Sequence, residues 1–266
     1  MLRDITLGQY FPGNTVVHRL DPRTKLIMTV VYIVALFMAK GWLSYAFMAC
    51  VLFGMIFASK IKLKTIAKSL KAIAIVIVFT AILNMFFTQG EVLFKLWILK
   101  ITREGVLMAV KMTIRLVLLI SGTFLLTYTT SPIALTDGIE ALLNPLKKIR
   151  FPVHELAMMM SIALRMVPTL IEETDKIMSA QKARGADMET GSILHRARAL
   201  IPILVPLFIS AFRRADELAE AMESRCYHGG QGRTRMKTLG MKARDYIALL
   251  CGAGAIAVVV FANLLL

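Results

Sequence analysis

GVLMAVKMTIRLVLLISGTFLLTY, Gly105 to Tyr128, is long enough as a helix to cross the roughly 30 Å of hydrocarbon in a bilayer. Only Lys111 and Arg115 place charge in it. Similar apolar runs occur at Leu26–Ala39, Trp42–Ala58, Ala72–Phe87 and Ile247–Leu266, the first two of them short. The whole chain follows suit: 57% of its 266 residues are hydrophobic and its mean hydropathy is +0.68. One ordinary globular domain has too little polar surface to dissolve such a composition. The expected fold is an all-α, polytopic membrane protein with about five transmembrane helices.

Charge placement orients these spans. The net charge of +15 is read first as a topology signal, because basic loops stay on the cytoplasmic side. Arg19, Arg23 and Lys25 precede the first span, and Lys60, Lys62, Lys64, Lys68 and Lys71 fill the second connection. The N-terminus is therefore expected inside, with Lys95, Lys100 and Arg103 on the outer side against the trend. The start, MLRDITLGQYFPGN, is polar and turn-rich and does not read as a cleavable signal. Cys50, Cys226 and Cys251 fall in spans or on the cytoplasmic side, where disulfides are not expected. Lys111 and Arg115 lie four apart on one helical face and read as structural, the first snorkelling outward and the second bonding neighbouring carbonyls.

The expected organisation is a cytoplasmic N-terminal segment (residues 1–25), transmembrane helices 1–4 (residues 26–130), a cytoplasmic module of amphipathic helices (residues 131–243) and a C-terminal transmembrane helix (residues 244–266). Asp21-Pro22 reads as a helix start, since a carboxylate accepts from a free amide and proline suits the first helical position. His18 lacks a partner at metal-ligand spacing and reads as an interfacial residue. The long polar module has helical periodicity and no strand signals. Thr136–Leu143 reads as a short amphipathic helix, Asn144-Pro145 as a restart, Pro152 as another start and Pro168 as a start or a kink.

Within the module, VPTLIEETDKIMSAQKARG and VPLFISAFRRADELAEAMESRC resemble each other, each an amphipathic helix ending near an arginine. Arg184 lies seven residues after Ile177, and Arg225 seven after Leu218, so each continues its helix's apolar stripe. Taken singly, either arginine is a cap for its own helix's carbonyls, with Gly185 as left-handed terminator. As a pair, two forked guanidiniums suit bidentate contact with a partner's carboxylates, and contact is the preferred reading.

The chain resembles the transmembrane (T) component of energy-coupling factor transporters, a family that includes the membrane subunit of cobalt importers. The resemblance covers nearly the whole chain. It rests on PGNTVVHRLDPRTK, TTSPIALTDGIEALLNPLKKI, IALRMVPTLIEETDKIMSAQKARGAD and Ser224-Arg225-Cys226. The family carries an Ala-Arg-Gly motif at a coupling-helix end, matched by Ala183, Arg184 and Gly185. Its second motif ends in a small residue, a place taken here by Cys226, with Gly229 and Gly230 as possible later terminators. The resemblance implies that the two helices dock on two ABC-type ATPase subunits, one arginine to each. It also implies a separate substrate-binding membrane subunit that selects a vitamin or metal ion, and a multi-pass location in a prokaryotic cell membrane. Met158, Met159 and Met160 suit an adaptable docking surface, although such runs more often serve core packing.

Other chemistries are poorly served. No G-x-x-x-x-G-K-[ST] phosphate loop is present, so ATP hydrolysis is expected in a partner, and no cofactor or catalytic residue is expected. His154-Glu155 begins an H-E-x-x-H helix, but position 158 is methionine. Glu172-Glu173 reads as solvated charge, and Cys226-Tyr227-His228 has too few ligands for a metal. A self-contained channel or secondary transporter is the alternative, yet neither repeated halves nor clustered intramembrane carboxylates are visible. The basic run Gln231–Lys237 suits anionic lipid better than nucleic acid, which is not expected as a partner.

Overall fold

The computed structural model describes residues 10–96, 99–186, 192–229 and 239–264. Its element order is α1 (Pro22–Met38), α2 (Trp42–Ser59), α3 (Leu63–Phe87), β1 (Val92–Leu96), β2 (Leu99–Thr102), α4 (Arg103–Thr129), α5 (Pro132–Leu143), a 3-10 helix (Asn144–Ile149), α6 (Val153–Ala183), α7 (Ile193–Glu223) and α8 (Ala243–Leu264). The all-helical, polytopic character expected from the apolar runs is what the structure shows. The exception is the antiparallel β1–β2 hairpin between α3 and α4, which the apolar-run reading does not anticipate. Helices α2, α3, α4 and α8 are long and apolar enough to cross a bilayer. Helix α1, at 17 residues, is shorter. The basic run Gln231–Lys237, the alternative terminator Gly230 and the N-terminal residues 1–9 lie outside the described residues.

The chain divides into two compact units: the described residues between 140 and 238 form one, and those between 8 and 139 with those from 239 on form the other. In the second unit α1, α2, α3, α4 and α8 pack around Leu36, Met48, Tyr128 and Val259, all essentially inaccessible. Gly122 is needed on α4 because any Cβ there would collide with the Tyr32 ring. Such small contacts let membrane helices approach where lipid supplies no hydrophobic drive.

Polar ties fix the relative directions of α1, α4 and α8. At one end, Asp245 at the start of α8 accepts from the Asp21 and Lys242 amides, both at 2.8 Å. Asp21 in turn caps α1 by accepting from the Arg23 amide at 2.9 Å, as its Asp-Pro signature predicts. Lys25 donates to the carbonyl of Thr129, the last residue of α4, at 2.8 Å. At the other end, Asn263 of α8 donates to the Met38 carbonyl at 2.6 Å and accepts from the Lys40 amide at 3.2 Å. Helices α1 and α8 therefore run parallel, with α4 antiparallel to both. The end of α4 and the start of α8 share one end of this unit, so the chain leaves for residues 140–238 and returns on the same side.

Arg115 does what its span position suggests. It donates to the Ala39 carbonyl at 3.1 Å, where α1 ends, and lies over the rings of Phe37 and Tyr45. Lys111 lies over the Trp42 ring, 5.7 Å from its centroid. Arg115→Ala is expected to cost about 2 kcal/mol, the worth of a charged hydrogen bond. Lys111→Ala is expected to cost no more than about 1 kcal/mol, a cation–π contact. Thermal unfolding of the two variants in the same detergent checks the ranking.

His18 is a loop clasp: its Nδ1 lies 2.7 Å from Thr15 Oγ1 and its Nε2 3.0 Å from the Phe11 carbonyl. Burial holds its pKa below the ordinary imidazole value. Among the described residues no His, Cys, Asp and Glu group is arranged to hold a metal ion.

Candidate functional site

Both arginine-bearing segments are longer helices than their Val-Pro pairs suggest. Pro168 lies inside α6, and Pro202 and Pro206 lie inside α7, each helix 31 residues long. Val167-Pro168 and Val205-Pro206 are therefore not helix starts. Proline deletes one backbone donor, but the apolar periodicity on either side carries the helix through.

The two helices lie side by side and run in opposite directions. The Gln181 side-chain Nε2 donates to the Pro202 carbonyl at 3.3 Å. Glu173 accepts from Arg214 at 2.8 Å and from the Ser210 hydroxyl. Further along, Ile162, Met166 and Leu170 face Ala211, Ala215 and Leu218 across a shared cleft. Glu173 is thus a tie between helices and not the solvated charge expected. The Ser210 hydroxyl, and then Arg214, hold its carboxyl below the usual carboxylate range. The apolar stripe on α7 splits: Ala211, Ala215 and Leu218 face α6, whereas Phe208 and Phe212 are 61% and 69% exposed. His154 pairs with Glu140 at 3.1 Å, so this unit engages the one histidine of the broken zinc motif.

The helix tips share one backbone design. At the end of α6, the Gly185 amide donates to the Lys182 carbonyl and the Ala186 amide to the Gln181 carbonyl, both at 3.0 Å. At the end of α7, the Cys226 amide donates to the Glu223 carbonyl at 2.9 Å and the Tyr227 amide to the Met222 carbonyl at 3.0 Å. Each is a Schellman motif, whose crossed pair of bonds satisfies the orphan carbonyls of a helix end. Arg184 and Arg225 hold the cap position in each, and both are exposed. Among the described residues neither guanidinium has a hydrogen-bond or ion-pair partner, so the backbone does the capping and the side chains stand free.

The residue after each arginine is left-handed: Gly185 has φ +85° and Cys226 φ 54°. Cys226 therefore ends α7 itself, earlier than the expected alternative at Gly229 or Gly230. A side chain in this conformation costs about 1 kcal/mol or more, which glycine avoids. Cys226→Gly should strengthen the α7 tip and Gly185→Ala should weaken the α6 tip, each by about 1 kcal/mol. Hydrogen exchange at the Tyr227 and Ala186 amides reports the two changes with opposite sign.

The antiparallel pairing sets the tips apart. Pro202 of α7 lies beside Gln181, one turn before Arg184, and the helix then continues to Glu223, a rise of roughly 30 Å at about 1.5 Å per residue. The sequence pairs the arginines as similar ends; the structure places those ends far apart.

These features define a polytopic, all-helical membrane protein carrying a pair of antiparallel, arginine-tipped helices. The family model for the cobalt transport protein, CbiQ, matches residues 13–237. The chain is 57% identical over 253 residues to the energy-coupling factor transporter transmembrane protein EcfT of Clostridium kluyveri, covering 94% of each chain. It is 46% identical over 246 residues to the protein so named from Bacillus subtilis, covering 92% of this chain and 93% of that one. The chain belongs to this family, the T components of energy-coupling factor transporters. It is a multi-pass membrane subunit of a transporter.

Proposed function

We propose that this subunit transmits ATP-driven motion from two ABC-type ATPase subunits to a separate substrate-binding membrane subunit that takes up a vitamin or metal ion. The observation that carries this reading is the pair of matched helix ends, each presenting a free arginine, separated by roughly 30 Å. One binding groove does not span that distance, whereas two ATPase chains do. Ala183, Arg184 and Gly185 form one coupling tip; Ser224, Arg225 and Cys226 form the other. Rigid helices of this length move as units, so displacement of the tips is carried into the rest of the subunit.

The exposed apolar side chains of α7, Ile201, Leu204, Val205, Phe208 and Phe212, supply the surface for the substrate-binding subunit or the lipid interface. Helix α1 makes the fifth crossing, since 17 residues is the lower limit of a span. The bundle end holding Arg19, Arg23, Lys60 and Lys62 then faces the cytoplasm with the N-terminus, and residues 131–243 form the cytoplasmic coupling module.

Reconstitution separates this reading from a self-contained channel or secondary transporter. The purified chain alone in vesicles is expected to move no solute, and uptake should require the ATPases, ATP and the substrate-binding subunit together. Solute flux through the chain alone would overturn the proposal.

A further inference from the structure

The two tips are not equivalent. Beneath the α7 tip lies a cavity of about 580 Å³ between α6 and α7, and Arg165 of α6 lines it together with Arg225 and His228. Met158, Ile162 and Leu218 supply apolar wall. No carboxylate is among the residues lining it, and among the described residues neither Arg165 nor Arg225 has an ion-pair partner. Two guanidiniums at one concavity without an anion repel each other, and an incoming carboxylate relieves that repulsion. A concave site with apolar walls and few convergent polar groups is also the ordinary form of a side-chain receptor.

We propose that this cavity is a socket for an acidic side chain of the ATPase that docks at the α7 tip, with Arg165 a second contact beside Arg225. The inference rests on the proposed role of the tips and adds a residue that lies 60 positions before Arg225 and outside the tip motif. The apolar wall favours a carboxylate carried on a protein segment over a free inorganic anion, because the aliphatic stem of Asp or Glu has surface to bury there.

The test uses the complete transporter in lipid nanodiscs. Arg165→Ala is expected to weaken ATPase binding at least about tenfold, the worth of a charged hydrogen bond, without lowering the unfolding temperature of the subunit. Arg165→Lys should restore part of the affinity, because it keeps the charge and loses the fork. That variant also places an amine in the socket, which a zero-length carbodiimide joins to an adjacent carboxylate as an amide. Mass spectrometry should find the new cross-link on an Asp or Glu of an ATPase subunit. A link only to a carboxylate of this chain, or none while Arg225→Ala still releases the ATPase, overturns the socket and leaves the tip reading standing. Protection of the amine by inorganic phosphate or by phosphatidylglycerol vesicles, with no ATPase link, overturns it in favour of those anions. Retention of both ATPases at full affinity by Arg184→Ala and Arg225→Ala variants would instead remove the reading on which the socket depends.

Discussion

Replacing Arg184 and Arg225 together with alanine is expected to abolish ATP-driven uptake while the subunit still inserts and folds. Truncating one partner of a desolvated charge pair costs about 2–5 kcal/mol. Losing two such pairs should weaken ATPase association by about a thousandfold or more. The geometry of the tips makes this a clean experiment. The crossed backbone bonds of Gly185, Ala186, Cys226 and Tyr227 hold the helix ends without either guanidinium. Alanine at the cap position therefore removes the contact and leaves the helix. Uptake and co-purified ATPase should fall together, with unchanged membrane yield and hydrogen exchange at the tips. Had the arginines been caps, the same variant would fray α6 and α7 and lose protein before losing partners. The single variants should show graded loss, with Arg225→Ala leaving Arg165 still present at its tip.

The largest structural effect is expected at Asp245. This carboxylate is 1% exposed and accepts from the amides of Asp21 and Lys242, joining the start of α8 to the start of α1. It also lies in the field of the Lys25 ammonium, which is itself bonded to the end of α4. Asp245→Ala leaves two amides without an acceptor and a buried cation with one carboxylate fewer. The expected loss is about 3–5 kcal/mol, the usual result of breaking a buried ionic network by removing one partner. Asp245→Asn should do little better, since both backbone partners are donors and the new amide group presents a donor to one of them. A fall of the unfolding temperature by several degrees in both variants, measured in the same detergent, is the expected outcome. An unchanged temperature would mean that α1 and α8 are held by apolar packing alone.

Much of the fold is legible from the chain because the bilayer imposes its own length scale. The runs beginning at Trp42 and Gly105 had to be helices of about 20 residues, since lipid offers no other partner for their backbone groups. Asp21-Pro22 announced the start of α1 for a local reason, and the structure shows that cap. The features that escaped are those fixed by distant residues. Nothing near Asp245 indicates that it serves Asp21, more than 200 positions away, and Glu173 looks solvated until α7 is laid against α6. Pro168 and Pro206 are ambiguous because proline both starts and interrupts helices, and only flanking periodicity over several turns decides. The arginines themselves were visible as a repeated ending, but their separation depends on the antiparallel pairing of α6 and α7. Cys226 was the least readable position: left-handed backbone is ordinary for glycine and uncommon for cysteine, so the terminator looked displaced when it was in place.

The most direct test of the coupling role is photo-cross-linking from the two tips in the native membrane, with benzoylphenylalanine introduced at the exposed neighbours Ala183 and Ser224 in turn. The account predicts an adduct with an ATPase chain from each position. Adducts confined to lipid or to this chain itself, from either position, would contradict it.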